Sequence, residues 1–202
     1  PARLLQIAAI LGSPGTAEFD EHLSFLANEN GLELAKGMRF VRLKFARYQL
    51  VCEVHSEFAT YTFIPSKTSG TVCDLSDFID CHEAMASIPG RIIRSTHIYI
   101  GRENDGALGA ERIEEFFSPD DLVVSDVVDG RAQVLSDFRL HTDGFGRLLI
   151  IDKGLSGSEP EQLIQRLQEI GNYRKMALIG LPLARRVMSE VLGLEARLAL
   201  LS

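Results

Sequence analysis

Hydrophobic and polar positions along the first 151 residues mostly follow the spacing of strands, with one helix near the start and a short helix predicted at 109–117. The apolar run at 3–11 ends in the turn Gly12-Ser13-Pro14-Gly15 and predicts a buried strand. Apolar residues recur at helical spacing within 17–30 and predict a helix that ends at Gly31. Further strands are predicted over 38–45, 48–57, 60–64, 91–101, 122–128, 131–140 and 146–151.

Two Asp-Gly pairs separate the last three of these strands. Asp129-Gly130 and Asp143-Gly144 suit the positive φ angles of tight hairpin turns. We therefore expect 122–128, 131–140 and 146–151 to be consecutive antiparallel strands.

From about position 158 the pattern changes to helical spacing and keeps it to the end. Its apolar positions are Leu163, Leu167, Ile170, Met176, Ile179, Leu183, Val187, Val191, Leu194 and Leu198. Pro182 lacks a backbone donor, so a break or kink is expected there. The pattern as a whole predicts a single α/β domain with a mixed, largely antiparallel sheet at 1–157 and a long C-terminal helical arm at 158–202.

The apolar stripe of this arm is longer than a small sheet can readily cover. Large exposed apolar patches usually mark interaction sites. We therefore expect a homo-oligomer that assembles through the C-terminal helices, with cyclic symmetry as the usual case.

Composition narrows the choice of partners. The 202 residues carry a formal net charge of -7 and no run of lysine or arginine, which argues against nucleic acid and against an anionic membrane surface as direct partners. The three cysteines are odd in number and form no C-x-x-C pair, as is usual in a reducing compartment.

Two short segments hold the candidate chemistry. If both are strands, Glu53, His55 and Glu57 share one face, and Asp137, Arg139 and His141 share another. The favoured interpretation is a structural salt-bridge cluster in which Arg139 pairs with Glu53 or Glu57.

Two other interpretations of these segments stay open. The carboxylates and imidazoles suit a divalent cation of unknown identity. A metal-assisted hydrolase would use Glu53, His55, Glu57, Asp137 and His141. A non-catalytic role is favoured over both, and no other cofactor is expected. On the helical arm, Tyr173-Arg174-Lys175 is interpreted as an anchoring polar patch that could also bind an acidic partner.

Three ordered motifs carry a family resemblance. Residues 53–63 resemble W-E-R-H-T-E-F…Y-T-F, residues 136–147 resemble T-D-F-R…D-G-F-x-R, and residues 163–185 resemble L-V-Q-R-L-L-E-I-E-T-Y-R-M-x-A-L-L-G-L-P-x-A-R. Together they resemble a bacterial family of uncharacterised, membrane-anchored proteins known only as a domain of unknown function. Cys52 and Val54 stand where that family tends to have Trp and Arg, and Gly171-Asn172 replaces Glu-Thr.

The resemblance implies a location and an architecture but no activity, since the family has none established. It implies that this chain is the soluble part of a protein of the bacterial inner membrane, lies on the cytoplasmic side and lacks the anchor. The expected function is assembly or ligand and ion sensing. The plan is also similar to CorA-type channels, so a cytosolic regulatory domain of a CorA-like ion transporter is an alternative, by analogy of architecture only.

Overall fold

The computed structural model describes residues 2–12, 15–67, 78, 81–102, 113–114 and 116–199. Its strands are β1 (Ala2–Ile10), β2 (Phe40–Lys44), β3 (Tyr48–Val54), β4 (Ala59–Pro65), β5 (Arg91–Arg102), β6 (Val123–Val127), β7 (Ala132–Ser136) and β8 (Gly146–Asp152). Its helices are α1 (Gly15–Glu29), α2 (His82–Ala86) and α3 (Glu159–Ala199), with a 3₁₀ turn at Pro119–Asp121.

All eight strands form one sheet in the order β2-β3-β4-β1-β5-β8-β7-β6. Among the strands that the structure describes, only β5 and β8 pair in parallel, and every other neighbouring pair is antiparallel. The predicted fold class, a mixed and largely antiparallel sheet with a long C-terminal helix, is therefore confirmed. The largely apolar sequence of β1, which also contains Arg3 and Gln6, has a clear cause, because this strand lies inside the sheet and is buried along most of its length.

One face of the sheet, called here the core face, carries two apolar clusters. Cross-strand partners point to the same side, and the register places Phe63, Leu5, His97 and Arg147 in one row across β4, β1, β5 and β8. The larger cluster joins β1–β4 to α1 and α2. The smaller consists of Tyr99, Phe116, Phe117, Leu135, Leu149 and Ile151. The larger cluster includes residues of β1 and the smaller includes Tyr99 of β5, so the boundary between the clusters falls between these two neighbouring strands.

The last three strands are consecutive antiparallel neighbours, as predicted. The β6–β7 turn takes four residues, and Val128, Asp129 and Gly130 all have positive φ (53°, 55° and 79°). The predicted end of β7 at Leu140 is wrong, since the strand stops at Ser136. The chain leaves the sheet there because Asp137 binds backbone groups outside it, as described below.

Helix α3 contains 41 residues and is about 60 Å long. It continues through Pro182, so the predicted break is wrong. A proline removes the hydrogen bond to the carbonyl four residues earlier, here that of Leu178. Leu178 is exposed, so water can bind that carbonyl and reduce the cost.

The chain divides into two compact units, Pro1–Glu161 and Gln162–Ser202. Among the residues that the structure describes, no helix is sufficiently long and apolar to cross a membrane. Cys52 and Cys81 are buried, and burial raises the pKa of the Cys52 thiol. Cys73 lies outside the described residues.

Candidate functional site

The two charged segments lie far apart on the sheet. Strand β3, which leads into Glu53 and His55, is second in the strand order, and β7, which leads into Asp137, is seventh. Five strand spacings separate them, which is about 24 Å. The predicted single cluster is therefore wrong, and so is a hydrolase site built from all five acidic and histidine residues.

The first segment does not keep strand alternation. β3 ends at Val54, and Val54 pairs with Ala59, so residues 55–58 form the turn between β3 and β4. The His55 ring stacks on Phe58 with 4.4 Å between ring centroids, and His55 Nε2 lies 3.9 Å from Glu53 Oε2. Glu53 and Glu57 are exposed. This segment is a surface turn in which strand alternation has ended and His55 lies beside Glu53.

The second segment forms a loop, residues 137–145, called here the Asp137 loop. The buried Asp137 carboxylate accepts the backbone N–H of Ser118 (3.0 Å) and of Arg139 (3.2 Å). His141 Nε2 lies 2.9 Å from Asp137 Oδ2, although its N–H is not aligned for a directed hydrogen bond. Burial raises the pKa of Asp137, but these hydrogen bonds and the nearby His141 outweigh burial and lower the pKa overall. The carboxylate therefore holds the loop as an anion.

Arg139 binds neither of its predicted partners. Its guanidinium lies 2.5 Å from Asp121 Oδ2, and both side chains are partly exposed. Asp121 belongs to the 3₁₀ turn that precedes β6, and the first residue of β6 pairs with the last residue of β7. The chain therefore brings Asp121, rather than Glu53 or Glu57, to the start of the Asp137 loop.

The second half of the loop joins three parts of the chain. Asp143 accepts the N–H of Phe145 (3.0 Å), and Ser95 Oγ on β5 donates to Gly144 O (2.7 Å). Arg147 donates to Phe116 O (2.6 Å) and to Asp143 Oδ2 (3.3 Å). Its guanidinium also lies 4.8 Å above the Phe116 ring. These contacts fix the orientation of Arg147 on the core face.

A row of buried polar residues, which the sequence analysis missed, lies beside Arg147 on the core face. Arg3 pairs with Tyr99 across β1 and β5, and His97 pairs with Arg147 across β5 and β8. Arg3 and His97 are each only 3% exposed. The available signal was a basic or histidine residue at an inward position of an otherwise apolar strand.

Two histidines are kept neutral by their surroundings. Burial lowers the pKa of His97 to about 4; the nearby Asp143 carboxylate partly opposes this shift, and Arg147 adds to it by a smaller amount. Burial likewise lowers the pKa of His22 to about 4. His22 Nε2 lies 2.9 Å from Ser87 Oγ, and its ring meets Tyr61 edge-on at 5.5 Å.

The predicted helix patch is exposed on α3, since Tyr173 is 53% exposed and Arg174 is also at the surface. Both residues make further contacts within the chain. Their role as a binding patch stays a prediction.

Within the described part of the chain, no three or more His, Cys, Asp or Glu residues are grouped so that they could hold a metal ion. Asp137 also makes a poor general base, because backbone donors already occupy its two oxygens. The Asp137 loop is thus built to keep a fixed shape. It presents Phe138 and Leu140, which are 64% and 72% exposed, at the surface.

Comparison with known proteins identifies a family whose function is unknown. No curated protein and no solved structure matches the chain. A family model described as "Protein of unknown function (DUF3422)" matches residues 1–202, the full length of the chain. The chain therefore belongs to this family of proteins of unknown function.

Proposed function

We propose that this chain is a non-catalytic assembly domain that forms a homo-oligomer through α3. The observation that carries the proposal is the exposed apolar surface of this helix. From Ala177 to Ala199 every described side chain is exposed. The large apolar ones among them are Leu178, Ile179, Leu181, Leu183, Val187, Met188, Val191, Leu192, Leu194 and Leu198.

Helix physics supports a partner for this surface. Isolated helices are marginal in water, and most helical stability in proteins comes from burying an apolar face. A second copy of α3 supplies a surface of the same length and the same apolar character. Burying the six-residue stripe Ile179, Leu183, Val187, Val191, Leu194 and Leu198 between copies would remove it from water and stabilise the helix.

Sedimentation equilibrium at micromolar concentration tests the proposal. We expect the wild-type chain to associate and Val187→Glu, in the middle of the stripe, to shift it toward monomer. Ser189→Glu is the matched control, because it adds the same charge to the same exposed helix two residues away, on another side. A monomeric wild type would overturn the proposal, and so would equal dissociation of the two variants.

Membrane attachment is a further part of the proposal, and it comes from the family resemblance. The native gene product would then sediment with the bacterial inner membrane, with this domain on the cytoplasmic side. Fractionation of cells that express the full native reading frame, with protease protection of the domain in intact spheroplasts, tests it. Recovery of the full product in the cytosolic fraction would overturn this part and leave self-association untouched.

A further inference from the structure

Two atoms of the core face, on His97 and Arg147, are buried at a cost in free energy unless something binds to them. Among the described residues, neither His97 Nδ1 nor Arg147 Nε meets a hydrogen-bond partner, and both atoms are buried. A buried polar group without a partner costs about 1–3 kcal/mol, and a charged one costs more. His97 on β5 and Arg147 on β8 are directly paired, so both atoms belong to neighbouring side chains on the core face.

The surroundings hold both side chains in place. The terminal nitrogens of Arg147 bind Phe116 O and Asp143, so its Nε–H keeps a fixed direction. The His97 ring packs against Phe78 (5.2 Å between centroids) and Phe145 (4.5 Å). Neither group can turn to another partner without breaking these contacts. A preformed pair of polar groups in apolar walls is the usual composition of a small-molecule site.

The chemistry of the two atoms selects an acceptor. Arginine nitrogens donate and never accept, so the partner of Arg147 Nε needs a lone pair. His97 Nδ1 donates in one of the two neutral tautomers.

We propose that His97 and Arg147 form a binding site for a small oxyanion, a carboxylate or a phosphate group. One oxygen accepts from Arg147 Nε–H and the other from His97 Nδ1–H. The Arg147 side chain is 14% exposed as a whole, while its Nε and His97 Nδ1 are buried. Phe145 and Asp143 of the Asp137 loop contact His97 and Arg147, so an anion bound there would also brace this loop.

Thermal unfolding of the wild-type chain in phosphate, acetate and chloride, all at equal ionic strength, tests the site. At ten times its dissociation constant, a bound anion raises the melting temperature by roughly 3–6 °C for a domain of this size. We expect phosphate or acetate to do so relative to chloride, and the comparison of the two identifies the preferred anion. His97→Leu should abolish the difference.

His22→Leu is the matched control. His22 is equally buried, has the same lowered pKa and also has an Nδ1 without a partner among the described residues. Its described contacts, however, are Ser87 and Tyr61, with no arginine among them. The anion effect should survive this substitution.

A measurement on the wild type covers the case in which His97→Leu does not fold. Titration with phosphate, followed by nitrogen NMR of the imidazoles, should shift His97 Nδ1 and leave His22 Nδ1 unchanged. The proposal is overturned if neither anion exceeds chloride, if both histidines respond alike, or if a crystal grown in phosphate shows only water at His97 Nδ1.

Discussion

At the scale of single residues, Asp137 makes the contacts that hold the candidate region in place. One buried carboxylate ties the end of β7 to Ser118, Arg139 and His141. It replaces the strand pairing that the alternating sequence at 131–140 predicts. A buried N–H group forms a stronger hydrogen bond with a charged acceptor than with a neutral one.

We expect Asp137→Asn to lower the free energy of unfolding by about 1–3 kcal/mol at pH 7, because the amide accepts these hydrogen bonds less strongly. The pKa of Asp137 is lowered by folding, so its contribution is complete above about pH 4 and is lost as the pH falls through the folded-state value. Urea unfolding at pH 7 and pH 3 should show the difference between variant and wild type shrinking. Asp120→Asn, an exposed neighbour, is the control and should change little. A difference that persists at pH 3 would contradict the role of the charge.

The two buried histidines predict a loss of stability in mild acid. Both have a pKa of about 4 in the folded chain against an ordinary 6.5. Between these values the unfolded chain binds more protons, so the free energy of unfolding falls as the pH drops from 6.5 toward 4, by up to about 3 kcal/mol per histidine.

Guanidinium unfolding between pH 7 and pH 4.5 measures this dependence. His22→Leu should reduce the change in the free energy of unfolding between pH 7 and pH 4.5, by about half if the two histidines contribute equally. This expectation does not depend on how stable the variant is at pH 7. His82→Leu, at an exposed position, should leave the slope as in the wild type. An unchanged slope in His22→Leu would show that this histidine is not kept neutral by burial.

At the scale of elements, the Asp137 loop keeps an unfavourable backbone conformation. Phe138 has φ of 54°, a region that bulky side chains rarely adopt, and its side chain is 64% exposed. Strain of this kind persists where the surrounding contacts over-determine the backbone, often at functional positions. The contacts of Asp137 and Ser136 with the backbone on either side of Phe138 supply that constraint.

We expect Phe138→Gly to raise the free energy of unfolding by about 0.5–1 kcal/mol, because glycine adopts this φ without steric cost. Leu140→Gly, in the same loop and of similar exposure, is the comparison and should not stabilise. Chemical denaturation at pH 7 measures both. A loss of stability in Phe138→Gly would show that its side-chain contacts outweigh the backbone strain.

At the scale of the whole molecule, the acidic net charge and the exposed α3 surface act together. A charge of -7 keeps copies apart at long range. The apolar surface of α3 favours association at short range. The balance predicts association that strengthens with salt, since salt screens the repulsion and leaves apolar burial in place.

If the chain associates through α3, its melting temperature should rise with protein concentration, because association stabilises only the folded form. Calorimetry over a hundredfold range of concentration measures this. Val187→Glu should remove the dependence, and Ser189→Glu should keep it. A melting temperature that does not depend on concentration would argue against the oligomer independently of sedimentation.

The sequence by itself determined the class of the fold and most of its elements. The apolar positions of β1, the Asp129-Gly130 turn before β7 and the helical spacing of α3 are local signals, and each of these elements is found at its signal, although β7 ends four residues before its predicted end. Such signals act within a few residues and depend on side-chain periodicity and turn chemistry. They do not depend on which strands become neighbours.

Only the tertiary structure decided which polar residues meet. Glu53 lies on β3 and Asp137 follows the end of β7 at the same end of the sheet, but five strand spacings separate them, because β4, β1, β5 and β8 come between β3 and β7. Strand order depends on long-range pairing, which alternation along one segment cannot encode. The same pairing placed His97 beside Arg147, two residues that are 50 positions apart in the chain and that no motif joins.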